Sequence, residues 1–125
     1  EAAVASGKAY FPPTFEADGG FTHATNVPAR LMRTANHFYT GRPGDWICLQ
    51  LSKSKLQDLG IVTRFEQPLP VGDQAVDDKW KSSNWACPHI YGGIPVTVDG
   101  ILTKTYAMER DGAGNFLSIV GLTDV

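Results

Sequence analysis

A histidine and a tyrosine two residues apart, in Ala86-Cys87-Pro88-His89-Ile90-Tyr91-Gly92-Gly93-Ile94-Pro95, form the densest concentration of chemistry in this sequence. In an extended segment His89 and Tyr91 point to one face. Pro88 fixes one backbone angle and the Gly92-Gly93 pair frees others, which suits a cleft wall. A second histidine, His23, lies in Asp18-Gly19-Gly20-Phe21-Thr22-His23-Ala24-Thr25, again glycine-led. It precedes a helix start, where Thr25, backbone N–H groups and the helix dipole can hold an anionic or hydroxyl-rich ligand. The two histidine segments are expected to meet, with His23 and Tyr91 lining one cleft within roughly 10 Å, about the spacing of packed layers.

Glu66 ends the run Arg64-Phe65-Glu66. Facing a cleft, its carboxylate can stabilise a developing positive charge or serve as a general base, as in glycosidic-bond chemistry. Each of these residues also has a plainer reading. His23 can bond a backbone carbonyl within the scaffold, His89 and Tyr91 can pack an aromatic strand on the core, and Glu66 can face solvent. Arg30, Arg33 and His37 share a helix face, ordinarily a solvated one; Arg30 is kept with Thr25 as a candidate ligand contact. His23, His89 and Glu66 are metal-type donors, but they lie far apart and no His-Glu-x-x-His pattern occurs, so no metal site is expected.

The elements that must position these side chains are legible to differing degrees. Glu1 to Ser6 reads as the end of a helix stopped by Gly7. Tyr10 to Phe15, with Pro12-Pro13 inside, is a loop with aromatic anchors. Thr25 or Asn26 can cap a helix from about Val27 to Tyr39, with Pro28 in its first turn and Val27, Leu31, Ala35 and Phe38 at helical spacing. Trp46 to Leu51 is a strand, Ser52 to Leu59 a helical turn closed by Gly60, and Ile61 to Glu66 the next strand. Ile101 to Met108 and Asn115 to Val120 form a hairpin across Arg110-Asp111-Gly112-Ala113-Gly114. Strands with one main helix and short helical turns make the class α+β.

With 125 residues, 42% hydrophobic content and a net charge of −2, the chain fits one domain with a packed interior. No lysine and arginine cluster marks a nucleic-acid or anionic-membrane surface, and no apolar run is long enough to span a bilayer. Cys48 and Cys87 read as reduced thiols of a cytosolic-type (cytoplasmic) protein. The chain opens on Glu1 rather than methionine, so its start is expected to lie inside a longer gene product.

Gly20-Phe21-Thr22-His23-Ala24-Thr25, Ala35-Asn36-His37-Phe38-Tyr39, Arg64-Phe65-Glu66 and Pro88-His89-Ile90-Tyr91-Gly92, in series, resemble the domain-of-unknown-function 952 family from Glu1 to about Phe116. The resemblance implies an ADP-ribosyltransferase-like fold, a split, strongly bent β-structure whose cleft holds NAD in active relatives. It matches His23 to the histidine that touches the NAD ribose and makes Tyr91 the aromatic surface for nicotinamide. Glu66, His89 and Gly92 match family positions without assigned roles. Relatives carry a strand before the first helix that this chain lacks, and residues 67–87 look like an insertion or lid. The reading that follows is a nucleotide-type cleft for NAD or ADP-ribose, with ADP-ribosyl transfer as its activity; His23 and Glu66 would be catalytic, and Thr25, Arg30, His89, Tyr91 and Gly92 ligand-binding. The alternative is a non-catalytic module that recognises a metabolite or a protein segment, with Trp80 and Trp85 as interface anchors.

Overall fold

The computed structural model describes residues 2–67, 69–71, 75–76 and 86–122. Its order is α1 (Ala2–Ser6), β1 (Thr22–His23), α2 (Pro28–Phe38), β2 (Trp46–Leu51), α3 (Lys53–Asp58), β3 (Val62–Glu66), β4 (Cys87–Tyr91), β5 (Leu102–Arg110) and β6 (Phe116–Ile119). The strands make two three-stranded antiparallel sheets, β1-β4-β3 and β2-β5-β6. The class is α+β.

Local sequence chemistry explains where the elements begin and end. Pro28 opens α2, as its fixed φ allows, but Val27 occupies the capping position without a side-chain bond. The hydroxyl expected to cap is engaged one turn earlier: Thr25 Oγ1 accepts from the Val27 N–H at 3.2 Å and donates to the Val27 carbonyl. In α3 the cap is made by Ser52, whose side chain accepts from the Lys55 N–H. β5 runs to Arg110, two residues beyond the expected Met108, because the turn is built by Asp111 rather than by glycine alone. One carboxylate oxygen of Asp111 accepts the N–H groups of both Ala113 and Asn115 at 2.9 Å.

Leu56, Ile90, Ile94 and Ile101 form a buried cluster, with Tyr10, Ala24, Leu51, Ile61 and Val96 packed on it. Because side chains alternate along a strand, the register of the first sheet sorts its residues into two faces. Thr22, Ile90 and Thr63 form one row across β1, β4 and β3 on the core side; His23, His89 and Arg64 form the next row on the opposite side. The helix α2 is tied to the second sheet by Asn36, whose amide donates to the Phe116 carbonyl at 3.0 Å and accepts the Phe116 N–H at 2.8 Å. Arg110 draws the turns together, donating to the carbonyls of Gly44, Thr40 and Gly114 while its guanidinium lies 4.5 Å from the Phe116 ring centre.

Candidate functional site

The His23 segment meets the His89 segment by strand pairing: His23 lies opposite His89, and Thr22 opposite Ile90. Their rings, with those of Phe21 and Tyr91, form an aromatic cluster on the outer face of the β1-β4-β3 sheet. Phe21, 3% exposed, is its centre. It stacks on His89 at 4.2 Å between ring centres and touches His23 at 4.8 Å and Tyr91 at 5.4 Å. His23 stands edge-on to His89 at 5.4 Å.

Glu66 joins the cluster from β3. Its Oε1 accepts from His89 Nδ1 at 3.0 Å and from the Tyr91 hydroxyl. A carboxylate offers acceptors only, so the proton of this His89 bond belongs to Nδ1. The other ring nitrogen, Nε2, is buried without a partner among the described residues, and the His89 side chain is fully buried. Glu66 itself is 35% exposed, so one carboxylate is anchored by two donors yet reachable by a ligand. The Tyr91 bond, then the His89 bond, holds its pKa below the ordinary value, while the same contact raises that of Tyr91. The Arg64 guanidinium lies 5.1 Å from the Tyr91 ring centre, completing a cation–aromatic–carboxylate group.

On the other flank, the Asp18 side chain is 1% exposed and its Oδ2 accepts from Thr14 Oγ1 at 2.6 Å and from His23 Nε2 at 2.9 Å. The His23 ring is 16% exposed. Burial lowers its pKa, more than Asp18 raises it, and His89 adds to the lowering. That direction favours the neutral imidazole.

His23 also borders a slot between the exposed edges of the two sheets. Strands β1 and β2 are both edge strands, and the cavity between them, about 570 Å³, is walled by Thr22, His23, Thr25, Tyr39, Trp46 and Met108 among others. Burial pushes the Tyr39 hydroxyl up to about 12. A neighbouring cavity of about 480 Å³ shares Ala24, Thr25, Leu31, Cys48 and Ile90 and extends to Thr63, Phe65 and Lys53. The Thr22 and Thr63 hydroxyls, one in each wall, are buried without partners among the described residues. Glu66, His89 and Tyr91 are absent from both walls. His23 and Tyr91 thus share a sheet face around Phe21, and His23 alone of the cluster also reaches the slot.

This arrangement carries the motifs of one family over most of its length: residues 1–103 match the model for a protein of unknown function, DUF952. The chain belongs to the DUF952 family. Neither a curated protein nor a solved structure matches it.

Of the residues singled out in this DUF952 chain, the structure brings His23, Glu66, His89 and Tyr91 together. Thr25 walls both cavities but spends its hydroxyl on the turn before α2. Arg30 lies near the Cys87 thiol, whose pKa burial raises and Arg30 lowers. Gly92 ends β4 at φ 138°, a conformation that requires glycine. His37, on the helix face read as solvated, bonds the Ala75 carbonyl at 2.7 Å. Both cysteines are free thiols. Trp80 and Trp85, and most of the proposed 67–87 insertion, lie outside the described residues. Among those described, no group of three His, Cys, Asp or Glu side chains could hold a metal, and no helix is long and apolar enough to cross a membrane.

Three contributors escaped the sequence reading. Asp18 precedes two glycines, and its identity as the His23 partner depends on a turn the spacing does not announce. Phe21 reads as scaffold yet is the floor of the site. Arg64 is recognisable only once β3 is known to pair with β4 in a register that puts Val62 opposite Tyr91.

Proposed function

We propose that this DUF952 domain binds a nucleotide-type ligand, NAD or ADP-ribose, at the His23 end of the inter-sheet slot, and that ADP-ribosyl transfer is the activity this site is built toward. The observation that carries the reading is the position of His23, which borders the slot and whose ring stands edge-on to the His89 ring beside the anchored Glu66 carboxylate. A neutral imidazole offers one acceptor and one donor, the functions needed to hold ribose hydroxyls. An ionised carboxylate near the sugar opposes the positive charge that develops as a glycosidic bond to nicotinamide loosens. Two antiparallel sheets with a slot between their edges support the ADP-ribosyltransferase-like assignment, and two reduced thiols fit a cytosolic setting.

The test is calorimetric titration of the parent, His23→Ala and Glu66→Gln with NAD and ADP-ribose, with nicotinamide release followed by NMR. Binding by the parent that weakens in His23→Ala supports the site. Nicotinamide release that Glu66→Gln abolishes supports transfer.

A second reading has its own observation. The walls of the slot are largely apolar, include the Thr22 hydroxyl, unpartnered among the described residues, and exclude Glu66. A non-catalytic module that captures a metabolite in the slot would keep its affinity in Glu66→Gln and release no nicotinamide.

A further inference from the structure

Asp18 has no role in either reading so far, although its side chain is the most deeply buried carboxylate touching the site, at 1% exposure. Its Oδ2 receives two donors, Thr14 Oγ1 at 2.6 Å and His23 Nε2 at 2.9 Å. Carboxylates only accept, so an ionised Asp18 requires the His23 proton to sit on Nε2. The neutral ring then has a single acceptor, Nδ1. Thr14, four residues before Asp18, fixes the carboxylate from within the same turn, and the Gly20 N–H closes that turn on the Phe15 carbonyl at 2.9 Å.

We propose that Asp18 is a positioning residue: it locks His23 as the Nε2–H tautomer and so presents Nδ1 as a hydrogen-bond acceptor for a ligand hydroxyl at the slot. The Asp18–His23 pair thus makes the site selective for a hydroxyl donor, of which a ribose is the class favoured by the nucleotide reading, on which this clause alone rests. The order of roles is carboxylate to imidazole to ligand, with the carboxylate never touching the ligand. The same logic recurs wherever a carboxylate sets the tautomer of a functional histidine.

The tautomer can be read without any ligand, so its test is separable from that of nucleotide binding. Nitrogen-15 spectra of the folded protein, at a pH where His23 is neutral, are expected to show a proton on Nε2 that exchanges slowly with solvent. Thr14→Val perturbs the same turn but leaves the carboxylate, and should retain that proton. Asp18→Ala should lose it, and its ADP-ribose affinity should fall about tenfold, the equivalent of one hydrogen bond of about 1.4 kcal/mol. A parent ring protonated on Nδ1, or an Nε2 proton that stays protected in Asp18→Ala, overturns the proposal. Since the parent spectrum alone can do so, failure of Asp18→Ala to fold does not shield it. A protected Nε2 proton in a parent that ignores ADP-ribose upholds the positioning role and rejects the nucleotide reading instead.

Discussion

At His23 the bond to Asp18 and the proposed ligand contact fall on different edges of one ring, so the two roles can be separated. Removing it leaves the buried Asp18 carboxylate short of one donor, so His23→Ala should lower stability by about 1–3 kcal/mol in a denaturant titration. The pH dependence has a definite sign. The folded His23 pKa lies below its ordinary 6.5, so on acidification the unfolded chain takes up the proton first. Stability should therefore be full above about pH 6.5 and decline as the pH falls toward the lowered folded value. Glu66 acts in the next window: its folded pKa lies below the ordinary 4.5, so its contribution is present above that value and is lost as the pH falls through the folded one. Thermal melts across this range should show both declines in the parent and only the lower one in His23→Gln. A parent melting temperature that holds level from neutrality to below pH 6 would contradict the assigned direction for His23.

At the scale of elements, β4 is the hinge of the design, since it pairs with β1 on one edge and β3 on the other and so collects His23, Glu66 and Tyr91 around His89. Its exit is set by two glycines. Gly92 has φ 138°, and a Cβ on Gly93 would come within 2.8 Å of the Ala9 Cβ. Gly92→Ala should cost about 1–3 kcal/mol through backbone strain. Gly93→Ala should disturb the Tyr10–Ile94 bridge, seen as faster amide exchange at Ile94. Unchanged exchange there would mean that the aromatic residue Phe11 and Ala9 can withdraw at no cost. The elements were unequally legible in the sequence. The helix α2 and strands β2, β3 and β5 announce themselves through periodicity. β1 has two residues and becomes a strand only by pairing with β4 more than sixty positions later; local pattern contains no trace of that partner. The expected Thr25 cap failed for a related reason, because a hydroxyl that can cap a helix can equally close the turn before it.

For the whole molecule, the decisive feature is that the two sheets are joined through one small core and leave an open slot between their edges. Leu56, 1% exposed, lies in that core. Leu56→Ala should cost about 2–5 kcal/mol, measured by chemical denaturation; a loss under about 1 kcal/mol would mean that the cluster relaxes around the missing side chain. The α+β class and the meeting of the two histidine segments could be reasoned from residue types, though not the strand pairing that joins them. The division of labour between faces could not, because it depends on which row of β4 meets the core. Ile90 turns inward to the slot and His89 outward to Glu66, and a register shift of one residue would exchange them.

The most direct test of the central claim is calorimetric titration of ADP-ribose into the parent and into His23→Ala shown by circular dichroism to be folded. Saturable heat in the parent and an affinity at least about tenfold weaker in the variant are the predicted results. Absence of heat in the parent at millimolar ligand, or equal affinity in both proteins, would contradict a nucleotide site at His23.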